Sequence, residues 1–201
     1  MFTKIYKIMF ALIMLAVITS NVSQAQTVKK SMVGEYPAFS IAPFVGIQFP
    51  MGDLGNFYKS SFNAGLDLNL KVNREVSFFL NGTYFDMPIK SDITGPAASF
   101  IAITAGPRYV LSSANVKAKF FLEAGIGAYI YSIKDYTTTT TPAVTILGTS
   151  TTNFGVNTGP GVILPLSDSM DLLMKAKLHY VFNKDGSQTF LSAMMGLSFK
   201  L

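Results

Sequence analysis

The stretch Ser61–Val72 alternates without a break. Phe62, Ala64, Leu66, Leu68, Leu70 and Val72 fall on one side of an extended chain, and Ser61, Asn63, Gly65, Asp67, Asn69 and Lys71 fall on the other. A period of two is the signature of a strand with one apolar and one polar face. The pattern leaves open which face looks inward. In a water-soluble sheet the apolar side is the core, whereas in a membrane barrel it meets lipid and the polar side lines the interior.

Seven further segments read the same way. They run over 39–49, 76–86, 99–111, 118–132, 152–164, 171–182 and 190–201. They are rich in Phe, Tyr, Ile, Val and Thr, which favour strands, and their lengths suit tilted strands that cross a bilayer. No amphipathic helix competes with them. Phe44, Phe79 and Phe85 fall on the nominally polar side of the first and third segments, and Gly155, Gly159, Pro160 and Gly161 interrupt the sixth. Pro43, Pro107 and Pro160 sit inside expected strands, where a missing donor suggests local bulges.

Composition agrees with this pattern. Of 201 residues, 49% are hydrophobic and only 13% charged, against about a quarter charged in soluble domains. Beyond the N-terminus no apolar run is long enough for a membrane helix, so the apolar residues are dispersed by the alternation. The first 25 residues have the layout of a secretory leader. Lys4 and Lys7 precede the apolar run Ile8–Ile18, and Ser23 and Ala25 occupy the small-residue positions before a cleavage site. The expected division is a signal peptide over 1–25, a periplasmic lead over 26–38 and a barrel over 39–201.

The connections alternate in length. Residues 73–75, 112–117 and 165–170 are short; 50–60, 87–98 and 133–151 are long; 183–189 is intermediate. Short and long connections alternate when an up-and-down barrel has tight turns at one rim and loops at the other. With the leader, the eight alternating segments, Phe121-Leu-Glu-Ala-Gly-Ile-Gly-Ala-Tyr129 and the ending Met195-Gly-Leu-Ser-Phe-Lys-Leu201, the chain resembles the small eight-stranded outer-membrane β-barrel family, porin-like in architecture. The resemblance covers nearly all of residues 38–201. It implies an all-β, eight-stranded antiparallel up-and-down transmembrane barrel in the cell outer membrane, with both termini on the periplasmic side. It also implies outer-membrane lipid, lipopolysaccharide and the barrel assembly machinery as partners. Such barrels often end in an aromatic residue; this chain ends in Leu201, with Phe199 on the same face.

The ionisable residues on the polar faces then form the candidate interior network: Asp67, Lys71, Arg108, Lys119, Glu123, Lys175, Lys177 and His179. Both signs occur at similar depth, so they can pair inside, whereas a charge facing lipid near the midplane costs about 2–4 kcal/mol. If the turn between the fourth and fifth strands centres near residue 114, Arg108 and Glu123 fall opposite or diagonal, within reach of each other. Their expected role is a structural plug, because eight strands leave room only for side chains. Phe49, Phe62, Tyr84, Tyr180, Phe182 and Phe190 near the long-loop rim, and Phe39, Tyr109, Phe120 and Phe199 near the other, are expected to form aromatic belts, although Phe190 falls on the inward side of its segment.

Several chemistries are excluded or disfavoured. There is no cysteine, hence no disulfide or thiolate site, and one histidine, His179, which leaves no basis for a His/Cys metal centre. No cofactor is expected: the chain has no phosphate-binding loop and no Gly-x-Ser-x-Gly elbow. The whole chain carries 16 Lys and Arg against 11 acids; losing Lys4 and Lys7 with the leader leaves a scattered excess, so no nucleic-acid partner is indicated. The Thr-rich loop over 133–151 is the one biased segment, a candidate surface-ligand site or a tolerant solvated loop. The leading reading is a non-enzymatic barrel with an envelope-structural, adhesion or limited small-solute permeation role. The alternatives are a soluble periplasmic lipocalin-like carrier of an apolar ligand and a barrel lipid-modifying enzyme built on His179.

Overall fold

A computed structural model describes residues 36–111, 118–137, 144–184 and 186–201. The leader, most of the periplasmic lead, the 112–117 turn and the centre of the Thr-rich loop lie outside these residues. The strands are β1 (Ala38–Met51), β2 (Ser61–Lys71), β3 (Val76–Met87), β4 (Ala98–Leu111), β5 (Lys119–Ile133), β6 (Ser150–Pro165), β7 (Met170–Val181) and β8 (Gln188–Lys200). Each pairs antiparallel with the next, and β1 closes on β8, giving a barrel without free edges. The eight alternating segments correspond to these strands within two residues at each end.

The face question has a clear answer. Val45 is 62% exposed and its neighbour Phe44 only 4%. The same contrast repeats along the wall: Ile47, Leu68, Phe78, Ile103, Leu122 and Ile126 point outward, while Gln48, Asp67, Asn81, Thr104, Glu123 and Asn157 are buried inside. The polar face is therefore the interior. The inward phenylalanines that interrupt the alternation, Phe44, Phe79 and Phe85, are buried there as well.

At the short-turn rim, Asn73 Oδ1 accepts hydrogen bonds from the backbone N–H groups of Glu75 (2.9 Å) and Val76 (2.7 Å), which reverses the chain between β2 and β3. The β6–β7 turn closes through Leu166 N–H and Ser167 N–H donating to Met170 O, at 3.0 and 2.9 Å. At the opposite rim lies a feature the periodicity did not flag, a six-residue helix α1 (Gly52–Phe57), too short to show a repeat. It buries Leu54 in a cluster with Phe85, Met87, Phe100, Tyr129 and Phe190. The adjoining loop is tied to the β3–β4 loop: Lys59 N–H donates to Pro88 O (3.1 Å) and Lys90 N–H to Phe57 O (3.0 Å).

The expected proline bulges are absent. The β1–β8 ladder breaks after Ile41↔Phe199 and resumes at Phe44↔Gly196. The β4–β5 ladder breaks after Ala105↔Ile126 and resumes at Arg108↔Glu123. The β6–β7 ladder breaks after Thr158↔Leu178 and resumes at Gly161↔Lys175. In all three the register is the same on both sides, so no extra residue is inserted. Each proline still pairs on its other flank, as Pro43↔Leu66, Pro107↔Phe78 and Pro160↔Leu122. The lost N–H of proline falls on one side only, so it interrupts one ladder and leaves the other whole.

Beyond the long-loop rim, Tyr136–Thr137 pairs with Thr145–Ile146. These pairs keep the register of Ser132↔Ser150 in the barrel, so the β5–β6 hairpin continues past the wall by on the order of 15 Å.

Candidate functional site in the barrel interior

The interior is layered along the barrel axis. Nearest the short-turn rim is a small apolar floor of Ala42, Val110, Phe121 and Leu173, with Ile163 against it. Above it lies an ionic layer drawn from four strands. Arg108 and Glu123 face each other across β4 and β5. Arg108 Nε donates to Glu123 Oε2 at 2.8 Å, and Arg108 Nη2 lies 3.0 Å from Asp67 Oδ2 on β2. Lys175 pairs with Asp67 and sits 3.6 Å from Glu123 Oε1; Lys177 Nζ is 2.8 Å from the same oxygen. Glu123 therefore touches three cations and Asp67 two.

Three cations face two carboxylates, and the surplus charge rests on aromatic rings. Arg108 Cζ lies 4.5 Å from the centroid of Phe121, Lys177 Nζ 4.2 Å from Phe79 and Lys175 Nζ 5.0 Å from Phe44. Such contacts strengthen once the cation has left water. Several interior rings lie over a glycine of another strand. A Cβ placed on Gly125 would sit 2.7 Å from Phe79 Cζ, and one on Gly155 would sit 2.6 Å from Tyr129 Cε2. Gly125 and Gly155 thus make room for interior rings, whereas a Cβ at Gly127 or Gly159 would meet the backbone of an adjacent strand.

Higher still, His179 joins Tyr129, Asn157 and Ser192. Its Nδ1 is 2.9 Å from Tyr129 OH and its Nε2 2.9 Å from Ser192 Oγ. Asn157 Nδ2 donates to Tyr129 OH at 3.2 Å. Both partners of the imidazole are hydroxyls, so either neutral tautomer is satisfied. The ring stacks on Phe190 with centroids 4.5 Å apart and meets the edge of Phe85 at 5.2 Å. The Ser192–His179 contact has the spacing of a nucleophile and base. Among the described residues no carboxylate orients the imidazole, however, and both side chains are buried.

The structure thus brings Asp67, Arg108, Glu123, Lys175 and Lys177 into one cluster and places His179 in the adjoining hydroxyl layer. Lys71 and Lys119 stay half-buried at the short-turn rim, on the last residue of β2 and the first of β5, and do not join the cluster. Lys71 Nζ instead lies 5.5 Å from the Tyr36 ring. The alternation pattern did not disclose the roles of Phe79, Phe121, Tyr129, Asn157 and Ser192, although the misplaced Phe44 and Phe79 were a visible signal. Among the described residues, no group of three or more His, Cys, Asp or Glu side chains is arranged to hold a metal.

The outer wall carries exposed rings near the long-loop rim. Phe62 and Tyr84 lie 6.2 Å apart, Tyr180 and Phe182 5.0 Å, and Phe154 and Phe182 5.9 Å. Near the other rim Phe39, Tyr109 and Phe120 are exposed.

No family model matches the chain, and no curated protein matches it in sequence. Solved structures do match in fold. Neisserial surface protein A superposes with a TM-score of 0.62 at 13% identity, over 82% of this chain and 97% of that one. The outer membrane protein OprG from Pseudomonas aeruginosa gives 0.56 at 10% identity, over 82% and 96%. A major outer membrane protein from Thermus thermophilus gives 0.56 at 13%, over 82% and 100%. At these identities the likeness is one of fold: this chain is a closed, eight-stranded antiparallel barrel of the kind seen in small outer-membrane proteins.

Proposed function

We propose that the chain is an integral outer-membrane protein, non-enzymatic, whose wall faces lipid and whose interior is a structural plug. The observation that carries this reading is the inversion of faces. A band of Val45, Ile47, Phe78, Ile103, Leu122 and Ile126 points outward around a barrel that buries five ionised side chains within. A water-soluble protein rarely exposes an apolar surface of that extent. The lipocalin-like alternative needs an apolar ligand chamber, and the ionic layer occupies the middle of this interior. The lipid-modifying alternative needs His179 at a lipid-facing rim, and His179 is buried among aromatic rings.

In this reading the leader over 1–25 is removed during export, residues 26–38 lead in from the periplasm, and the short turns lie on the periplasmic side. The long loops, including the Thr-rich hairpin, face outward and are the surface on which lipopolysaccharide or an adhesion ligand would be met. The barrel assembly machinery inserts the chain, reading the outward face that ends in Phe199 and Leu201. The role is envelope-structural or adhesive, with permeation limited to what can pass a packed interior.

Fractionation tests the reading. The mature chain is expected in detergent-extracted outer membranes, migrating faster on gels before boiling than after. Recovery as a soluble periplasmic monomer would overturn it. Conductance in planar bilayers as large as that of a wide porin would overturn the plug.

A further inference from the structure

The inward face of β2 differs from the other seven. It reads Ser61, Asn63, Gly65, Asp67, Asn69 and Lys71, polar or bare from one rim to the other. Every other barrel strand turns at least one bulky apolar side chain inward, Phe44 on β1 and Phe79 on β3 among them. Along this stripe several buried polar groups make no hydrogen bond among the described residues. Asn63 is fully buried, and neither its Nδ2 nor its Oδ1 has a partner. On the neighbouring strand Gln48 Oε1 is in the same state, and further down β2 so is Asp67 Oδ1. Groups of this kind are costly when left dry, so buried water commonly serves them.

The stripe is crossed at one point. The Phe44 ring lies over Gly65, where a Cβ would come within 2.6 Å of Phe44 Cζ. The ring carries Lys175 on its face, at 5.0 Å, and Phe44 is 4% exposed. Gly65 lies midway between Asn63 and Asp67, so the ring separates the two unsatisfied groups. An apolar ring at a narrow point blocks water by dewetting.

We propose that β2 carries an occluded file of water and that Phe44 is its stopper. Water enters from the long-loop rim past Ser61 and Asp86 as far as Asn63 and Gln48. From the short-turn rim it passes Lys71 and Asn69 as far as Asp67. The ring keeps the two columns apart, so the resting barrel is closed to protons; moving the ring off Gly65 would join them.

The proposal rests on the membrane-spanning reading, and the test separates the two. The purified full chain is reconstituted into phosphatidylcholine and phosphatidylglycerol vesicles containing a pH-sensitive dye, with valinomycin and potassium clamping the potential. Heat-modifiable migration reports insertion, and failure of the wild type at that step counts against the membrane reading alone. Inserted wild type is expected to be as proton-tight as protein-free vesicles. Phe44→Ala is expected to speed proton entry by at least about tenfold, because it removes the dewetting ring. Adding Asn63→Leu to Phe44→Ala is expected to restore tightness by taking away the groups that hold the upper column. Phe121→Ala deletes a comparable ring over Gly161, away from the β2 stripe, and is expected to stay tight. Phe44→Val, which keeps a strand-forming side chain, gives the same reading with a smaller rise and serves if the alanine variant does not insert. The proposal fails if inserted Phe44 variants are as tight as wild type, or if Phe121→Ala leaks as much as Phe44→Ala.

Discussion

Replacing Glu123 with glutamine removes one of two carboxylates from a layer that holds three cations. Glu123 Oε2 accepts from Arg108 at 2.8 Å, and its Oε1 lies 2.8 Å from Lys177 and 3.6 Å from Lys175. Without it, Lys177 has no carboxylate contact, and Arg108 and Lys175 are left with Asp67 alone. Breaking a buried ion pair from one side costs about 3–5 kcal/mol, because a charge is left uncompensated away from water. Arg108→Met provides the contrast. It leaves two lysines for two carboxylates, with Lys175 on Asp67 and Lys177 on Glu123. The loss is then confined to charge-assisted hydrogen bonds and the stacking on Phe121, about 2 kcal/mol. The ordering, Glu123→Gln worse than Arg108→Met, follows from charge balance and not from the number of contacts. Urea unfolding of the full chain in lipid vesicles, followed by far-ultraviolet circular dichroism and heat-modifiable migration, measures both. The chain has no tryptophan, so indole fluorescence is not a readout. Equal destabilisation by the two variants, or a larger loss for Arg108→Met, would refute the reasoning.

Gly155→Val is expected to push Tyr129 away from His179 and Asn157, since a Cβ at residue 155 falls 2.6 Å from the Tyr129 ring; overpacking of this kind costs about 1–3 kcal/mol, read by the same urea titration. On the lipid face, Ile103→Arg and Ile126→Arg, both at mid-strand, are expected to lose about 2–4 kcal/mol, while Phe39→Arg at the rim loses about 0–1 kcal/mol; no dependence on depth would count against a bilayer around this wall. Deleting 138–143, between the paired ends Thr137 and Thr145, is expected to leave the urea midpoint unchanged, because the barrel ladder ends at Ser132↔Ser150. A large drop would show that the hairpin end supports the barrel.

How much was legible in the sequence depended on which rule governed each position. Period two requires no knowledge of a partner strand, so Phe62, Leu68, Ile103 and Leu122 could be placed on the outer face from their own neighbours. Register needs a turn length, and that sufficed to bring Arg108 near Glu123. The contacts to Asp67 and Lys175 cross the barrel between strands that are not adjacent, and no local spacing encodes them. The helix α1 was invisible because six residues hold less than two turns. The prolines misled because a bulge and a skipped hydrogen bond look alike in sequence. Only the pairs on either side of the gap, such as Ala105↔Ile126 and Arg108↔Glu123, tell them apart.

Phe44 and Phe79 show where a binary reading of faces runs out. A polar interior is expected to exclude phenylalanine, and their inward position reads as noise in the alternation. In the folded barrel each ring does two things a polar side chain could not. It fills the space above a glycine, Gly65 on the adjacent strand for Phe44 and Gly125 two strands away for Phe79. It also offers a π face to a lysine, Lys175 or Lys177, in a layer with too few carboxylates. A third carboxylate would balance the charge, but it would bring two more oxygens into the layer to be desolvated and hydrogen-bonded. A ring supplies partial negative character with no lone pairs to satisfy. The exceptions to alternation therefore mark the places where the interior must be filled and electrically balanced at once.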